Sequence, residues 1–245
     1  MKYIRGIIYF VVSVSVIGLI IFLIWANTPL GPMPEALQAL QSDSDVTVTI
    51  DGLLVFRPAG VNSETGVIIY PGGRIDPRSY APAANALARQ GYLAVIVPMP
   101  LNLAVLAPDR ANSVIDAYPE IEFWAIGGHS LGGAMAADYI LSSGSAEALF
   151  LWASYPSSNT DLSSEDVIVT SVYGSLDGLA SPDEVLSAAD LLPVDTIWVE
   201  ITGGNHGQFG WYGDQPGDNP AAITREQQQY ILVQATANLL QRLSR

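Results

Sequence analysis

The sequence predicts an α/β protein, in which a doubly wound, mostly parallel sheet is preceded by one N-terminal transmembrane helix. Three observations predict it: a long uncharged apolar run near the N-terminus, near-continuous apolar strand segments separated by helix signals, and a strand, glycine-rich turn and helix in the middle of the chain. Strands of a parallel sheet covered on both faces are apolar along their whole length. The predicted organisation is an anchor (1–26), a linker (27–45) and one α/β domain (46–245).

The first predicted element is the apolar run from Ile7 to Trp25, which carries no charge. As a helix it would be about 28 Å long, close to the roughly 30 Å hydrocarbon core of a bilayer. Lys2 and Arg5 precede it and no basic residue follows before Arg57, so the positive-inside rule places the N-terminus in the cytoplasm and the domain outside. A cleaved signal peptide, giving a secreted protein, is the alternative. Its apolar region is usually ~7 to 15 residues, however, and Ile24-Trp25-Ala26 is a poor cleavage site.

Charge and cysteine content limit the chemistry of the remaining chain. All 24 acidic residues follow the anchor with only eight of the ten basic ones, which leaves a formal charge of −16. Such a surface repels nucleic acid and anionic lipid headgroups, so no nucleic-acid partner is expected. The chain has no cysteine, which excludes disulfides, thiolate metal sites and a cysteine nucleophile. The chemistry must therefore rest on hydroxyls, carboxylates and two histidines.

Strand and helix signals follow one another after the anchor. Thr28 to Ser44, which contains three prolines, is expected to act as a tether that lifts the domain off the bilayer. Val46 to Ile50, an Asp51-Gly52 turn and Leu53 to Phe56 predict a β-hairpin. The other predicted strands are 66–70, 93–97, 122–126, 148–153, 167–173 and 196–201. The other predicted helices are 79–90, 108–118, 181–192 and 224–243, besides the one that follows residue 130.

The stretch 121–143 combines a strand, a tight turn and a helix. An apolar segment meets Gly127-Gly128-His129-Ser130-Leu131-Gly132-Gly133 and continues into good helix formers. Within it, Gly128-x-Ser130-x-Gly132 matches the nucleophile elbow, in which a serine lies on a strained turn with its hydroxyl exposed. The glycines are needed because a side chain there would collide with the neighbouring strand or helix. On these residues the chain resembles the α/β-hydrolase superfamily, over roughly Val46 to Leu243.

A serine hydroxyl needs a base to remove its proton as it attacks. The chain has two histidines, and His129 lies inside the elbow, where its side chain cannot readily turn back onto Ser130. His206, in a glycine-rich loop after the predicted strand 196–201, is therefore the candidate base. The superfamily's chain order of serine, acid and histidine agrees with this choice.

Asp177 is the candidate acid that would orient the imidazole and stabilise the imidazolium. It follows the predicted strand 167–173, at the sheet edge where the resemblance places this residue. Asp161, after the preceding strand, is the alternative, as in some lipase-like relatives. Asp183 and Glu184 are expected to begin a helix, because Ser181-Pro182-Asp183-Glu184 has the pattern of a capping box.

The resemblance also implies two backbone donors for an oxyanion. The first is the N–H of Leu131, directly after the nucleophile. The second comes from the loop after the third strand, where Pro71-Gly72-Gly73-Arg74 resembles the His-Gly-x segment of relatives with proline in place of histidine. This alignment indicates the N–H of Gly73, with Arg74 as the alternative. A simple turn at Gly72-Gly73 is the competing interpretation.

Two groups of apolar residues are candidates for lining a pocket. Phe209, Trp211 and Tyr212 follow the candidate base and would either line a pocket or pack its loop down. Leu101, Leu103, Val105 and Leu106 would form an apolar wall or be buried in the core.

Few residues are available for a helical lid between Ala153 and Val167, about a dozen in all. The site is therefore expected to be open, as in the minimal hydrolases that resemble dienelactone-hydrolase-like esterases. Dienelactone hydrolases use cysteine where this chain has Ser130, so their substrate cannot be carried over.

The sequence thus predicts a membrane-anchored, extracytoplasmic serine hydrolase that cleaves a small-molecule carboxylic ester through an acyl-enzyme. The same triad also serves thioesters, peptides and acyl transfer. A non-catalytic, membrane-tethered binding module on the same scaffold is the alternative from a different class. No metal is expected, because two histidines, one of them committed to catalysis, cannot build a zinc site with these carboxylates. No cofactor is expected either, because the glycine pairs match neither a dinucleotide fingerprint nor a phosphate loop.

Overall fold

The computed structural model describes residues 2–243, which contain one sheet of eight strands. The strands are β1 (Val46–Asp51), β2 (Leu53–Pro58), β3 (Thr65–Tyr70), β4 (Leu93–Ile96), β5 (Phe123–His129), β6 (Ala148–Trp152), β7 (Ile168–Gly174) and β8 (Ile197–Ile201). The helices are α1 (Lys2–Ala26), α2 (Pro34–Gln38), α3 (Ala81–Ala88), α4 (Ala111–Ala117), α5 (Leu131–Ser143), α6 (Pro182–Ser187) and α7 (Arg225–Leu243). Met1, Ser244 and Arg245, which the predicted ranges 1–26 and 46–245 include, lie outside the described residues. The side chains of Lys2 and Arg5, on which the predicted orientation depends, lie outside them too.

The sheet has the strand order β1-β2-β4-β3-β5-β6-β7-β8. β1 and β2 form the predicted hairpin, which turns at Gly52 with a φ of +69°. β2 is also antiparallel to β4, whereas all the other neighbouring pairs are parallel. The mostly parallel sheet predicted from the apolar strands is therefore confirmed. The ends of β3 to β8 meet on one side of the sheet, which we call the carboxyl edge.

Helices cover both faces of this sheet, as a doubly wound fold requires. α3 and α7 pack on one face and α4 and α5 on the other. β6 shows the alternation between the faces, because Phe150 belongs to the first core while Leu149 and Leu151 belong to the second. All five residues of β6 are buried, so neither face of the sheet is left to solvent at this strand.

Predicted and observed helix limits differ mainly where proline intervenes. The predicted helix 79–90 begins as a 3-10 turn at Pro77–Tyr80, and the predicted helix 108–118 as another at Pro108–Arg110. The predicted helix 181–192 ends at Ser187, and Leu192 is extended with φ −120° and ψ 155°. Leu192 precedes Pro193, and proline disfavours the helical conformation of the residue before it.

The helix α1 projects from the domain. Its segment Ile7–Ala26 is long and apolar enough to cross a membrane, and among its described side chains only Ala26 is buried. The segment after it packs on the domain: Leu30 forms a parallel bridge with Ile75, and the N–H of Met33 donates to the carbonyl of Trp211 at 2.8 Å. Where the sequence predicted a tether that lifts the domain away, the structure has an ordered connection.

Candidate active site

The turn between β5 and α5 holds Ser130 in a strained conformation. Its φ of +53° and ψ of −124° lie in a region that residues other than glycine rarely adopt. A Cβ on Gly128 would lie 2.0 Å from the carbonyl oxygen of Tyr70 in β3, and one on Gly132 would lie 2.2 Å from the same atom. β3 thus passes so close to the turn that only glycine fits on either side of Ser130, as the sequence motif predicts.

The end of β6 holds this turn from the other side. The N–H of Ser130 donates to the carbonyl of Trp152 at 3.0 Å, and the hydroxyl of Ser154 donates to the carbonyl of Ser130 at 2.7 Å. Sequence reasoning did not identify Ser154, although its position just after a strand, at the carboxyl edge, was the signal that selected Asp177.

Asp177 and His206 meet in a buried pair beyond the ends of β7 and β8. The Oδ2 atom of Asp177 lies 2.8 Å from Nδ1 of His206. The other oxygen, Oδ1, accepts the N–H groups of Leu179 and Ala180 at 2.8 and 2.7 Å. Because a carboxylate only accepts hydrogen bonds, Nδ1 of His206 carries the proton in this pair, and Nε2 is left to accept one.

Ser130 lies at the same carboxyl edge and is half-buried. Its hydroxyl makes no hydrogen bond to any residue in the described part of the chain. Contacts between a nucleophile and its base are often loose before substrate binds, so the missing hydrogen bond does not argue against proton transfer in a substrate complex.

The other carboxylates considered from sequence have local roles. Asp161 is exposed and accepts the N–H of Ser163 at 2.9 Å, away from His206. Ser181 and Glu184 form the predicted capping box at the start of α6.

The loop after β3 has one amide, that of Gly73, without an acceptor among the described residues. The N–H of Gly72 donates to the hydroxyl of Tyr80 at 3.0 Å, and the N–H of Arg74 donates to the carbonyl of Asn102 at 2.8 Å. Within residues 2–243, the N–H groups of Gly73 and Leu131 have no acceptor. A Cβ on Gly73 would lie 3.2 Å from Cδ2 of Leu131, so the two residues are neighbours. This geometry favours Gly73 over Arg74 as the second oxyanion donor.

Tyr80 joins this loop to His129, which packs against His206. Its hydroxyl, which accepts the N–H of Gly72, lies 2.9 Å from Nδ1 of His129. His129 is fully buried, and the centre of its ring lies 4.4 Å from that of His206. Burial lowers the pKa of His129 well below 6.5, and the neighbouring His206 lowers it further. His129 therefore stays neutral and packs as an uncharged ring against the candidate base.

We expect the burial of His129 to make the folded state less stable in acid. As the pH falls below about 6.5, His129 takes up a proton in the unfolded chain and not in the folded one, so the free energy of unfolding falls by up to about 1.4 kcal/mol per pH unit. Urea unfolding at pH 7.5 and 5.5, followed by tryptophan fluorescence in detergent, measures the loss. In His129→Gln the side chain cannot titrate, so the free energy of unfolding should fall less between pH 7.5 and 5.5, by the contribution of His129. An equal loss in both proteins would contradict the expectation.

A cleft of about 350 Å³ opens beside Ser130. Its walls are mostly apolar and come from the loops after β6 and β7 and from the start of α5. They include Leu131, Ala134, Tyr155, Pro156 and Leu179. No helix or strand interrupts the stretch 153–167, where a lid would be inserted, so the cleft has no helical cover from this loop.

The two apolar groups considered as pocket linings differ in burial. Phe209, Trp211 and Tyr212 are buried and pack the loop of the candidate base. The residues from Leu101 to Leu106 do not join the core as a group, since Val105 and Leu106 are exposed. Core burial is therefore the wrong interpretation for these two residues.

A family model and a solved structure both match this chain. A family model described as "Alpha/beta hydrolase family" matches residues 66–230. Among solved structures, a predicted CIB-like hydrolase from Thermoplasma acidophilum is similar, with a TM-score of 0.60 and 13% sequence identity, over 79% of this chain and 99% of that one. At this identity the likeness concerns the fold alone. No curated protein sequence matches the chain.

Proposed function

Because the chain belongs to the alpha/beta hydrolase family, we propose that it is a serine hydrolase that cleaves carboxylic esters through an acyl-enzyme. The observation that carries the proposal is the buried pair of Asp177 and His206, at 2.8 Å, on the same sheet edge as the strained Ser130. Burying two ionisable groups and holding a serine at positive φ both cost stability. A pure binding module has no use for either feature, so the pair and the strain favour catalysis.

The proposed reaction has two halves. Ser130 Oγ attacks the ester carbonyl while His206 Nε2 takes its proton, and the tetrahedral intermediate then expels the alcohol, which receives that proton. Water next attacks the acyl-enzyme with His206 again as the base, and Ser130 regains its proton as the acid product leaves. Asp177 keeps the imidazole in the tautomer that can accept a proton.

Negative charge on the intermediate would be bound by the N–H groups of Gly73 and Leu131. Loss of one such donor typically costs about 3 kcal/mol of transition-state stabilisation. Both amides are backbone groups of neighbouring residues, and both lack another acceptor in the described residues, so they would be available before substrate arrives.

The same triad could transfer acyl groups to other acceptors, or cleave thioesters or peptides. The open cleft favours hydrolysis over acyl transfer, because no helix of the 153–167 loop covers Ser130 and excludes water from the acyl-enzyme.

We propose further that α1 is a retained single-pass anchor, with its N-terminus in the cytoplasm and the domain outside. Its length and hydropathy fit a membrane span. Cleavage after Ala26, as in a secreted protein, would remove carbonyls that the folded domain uses: Arg74 Nε donates to Trp25 at 2.8 Å, and Asn102 Nδ2 to Ala26 at 2.9 Å.

Labelling with a fluorophosphonate probe tests the proposed chemistry. The purified chain should form one covalent adduct, and peptide mass spectrometry should find it on Ser130, because the proposal gives an activated hydroxyl to this serine alone. Heat-denatured protein is the control. Absence of an adduct on protein with an intact circular dichroism spectrum would exclude the serine hydrolase and favour the binding module.

A further inference from the structure

The end of α1 is bonded to two loops at the carboxyl edge. The guanidinium of Arg74 donates to the carbonyls of Trp25 and Thr28, both at 2.8 Å, and lies 4.3 Å from the centre of the Trp25 ring. Asn102 donates to the carbonyl of Ala26 at 2.9 Å. The last carbonyls of a helix have no partner within the helix. Here the domain supplies partners for the carbonyls of Trp25 and Ala26 at the end of α1, and of Thr28 just after it, which fixes where α1 meets the domain.

The same two loops border the candidate oxyanion site. Arg74 directly follows Gly73, and its N–H donates to the carbonyl of Asn102 at 2.8 Å. Leu103, the residue after Asn102, lies with its Cδ2 atom 3.9 Å from the position of a Cβ on Gly73. Arg74 and Asn102 therefore connect the C-terminal end of α1 directly to the two loops that border the candidate oxyanion site.

Exposed aliphatic side chains lie in two loops at this edge, and one of them, Leu179, lines the cleft beside Ser130. Val105 and Leu106, in the 3-10 turn that follows Asn102, are 53% and 51% exposed, and Leu176 and Leu179 in the loop after β7 are each 38% exposed. We call these four residues the aliphatic rim. Single exposed aliphatic residues are ordinary on protein surfaces. What distinguishes the rim is its place, on the edge that α1 holds next to the bilayer.

Charge attraction cannot hold the aliphatic rim at the lipid surface. Apart from the anchor, the chain carries eight basic residues against 24 acidic ones, so it is repelled by anionic headgroups. A span ending at Ala26 keeps the rim close to the lipid surface at high effective concentration, without any charge attraction. Trp25 at the end of the span is 46% exposed, as expected for an aromatic residue at the membrane interface.

We propose that the active site opens onto the membrane surface and acts on a water-insoluble ester that partitions into the outer face of the bilayer. The acyl chain of this ester would enter the apolar cleft beside Leu131 and Leu179, and the ester carbonyl would lie at Ser130. The inference rests on the proposed serine hydrolase function and on retention of α1. An ester dissolved in water would gain nothing from a site held at this surface.

The first test measures position and does not depend on catalysis. The chain has no cysteine, so Val105→Cys provides a single site for an environment-sensitive fluorophore. Val61→Cys is the matched control, since Val61 is also 53% exposed but lies in the loop that enters β3 from the opposite edge. In phosphatidylcholine vesicles with spin-labelled headgroups, the label at residue 105 should be quenched strongly and the label at residue 61 weakly. Equal quenching at the two positions would overturn the proposal.

The second test measures substrate preference in unlabelled vesicles. The Val105→Asp/Leu106→Asp double variant should turn over a long-chain ester that partitions into the vesicles at least about tenfold more slowly. The free energy gained when one aliphatic side chain is buried in lipid corresponds to a factor of about ten in affinity for the surface. The double variant should retain turnover of a short-chain, water-soluble ester, which also shows that it has folded. Val61→Asp should retain both.

The outcomes separate the two proposals. Equal loss of both esters in a folded double variant, or no loss of either, would contradict the membrane-facing site. If the unaltered chain turned over neither ester, the proposed hydrolase function would fail, while the quenching result would still decide which edge faces the bilayer.

Discussion

Replacement of Ser130 by alanine is expected to lower kcat for a carboxylic ester by about 10⁴- to 10⁶-fold, because it removes the group proposed to form the acyl-enzyme. The strained turn needs no serine side chain, and the glycines that fit beneath Tyr70 are unchanged, so the fold should be retained. Residual turnover would come from binding and from the two backbone amides.

The measurement is single-turnover and steady-state hydrolysis of p-nitrophenyl esters, with circular dichroism to show that the variant is folded. Ser158→Ala is the control, since Ser158 is an exposed serine in the loop beyond β6 and has no part in the proposed chemistry. The burst of alcohol release should vanish in Ser130→Ala and persist in Ser158→Ala. A burst that survives in both variants would show that another residue is the nucleophile.

Replacement of Asp177 by asparagine is expected to lower kcat by about 10⁴-fold. The N–H groups of Leu179 and Ala180 both point at one oxygen of Asp177, so they would fix the carbonyl oxygen of the new amide at that place. Its NH₂ group would then face Nδ1 of His206 and donate to it. His206 would be held with its proton on Nε2, the tautomer that cannot accept the proton of Ser130.

Asp161→Asn is the matched control, because Asp161 is the other acid that follows a neighbouring strand and, among the described residues, it bonds only to Ser163. It should keep the kcat of the unaltered chain. The pH profile gives a second reading, since Asp177→Asn should regain activity at high pH, where hydroxide replaces the missing base, and Asp161→Asn should not change shape. A 10⁴-fold loss in Asp161→Asn instead would move the acid to the loop after β6.

The local sequence pattern was sufficient to predict the sheet and the turn that holds Ser130. Each buried strand is a short apolar run, and the glycines around Ser130 have a steric cause that the sequence motif already contains. His206 could be selected because the chain has only two histidines and one of them lies inside the elbow. With more histidines, the sequence would have left several candidates.

Contacts between distant segments could not be read in the same way. Tyr80 reaches His129 across 49 positions of the chain, and nothing near Tyr80 in sequence marks it as a partner for a buried imidazole. The exposure of Val105 and Leu106 was also hidden, because an aliphatic residue has the same local pattern whether it is covered by the core or lies at a surface.

The bonds that Arg74 and Asn102 make to Trp25 and Ala26 have a practical consequence for preparing the protein. A fragment that begins at residue 27 would be a convenient water-soluble form, but it would lack the carbonyl of Trp25 that holds Arg74 and the carbonyl of Ala26 that holds Asn102. Arg74 would keep its bond to the carbonyl of Thr28, but it adjoins Gly73, so the loop that loses a contact is the one that would carry the second oxyanion donor. The last turn of α1 thus contacts both loops that border the candidate site, and the detergent-solubilised unaltered chain keeps these contacts.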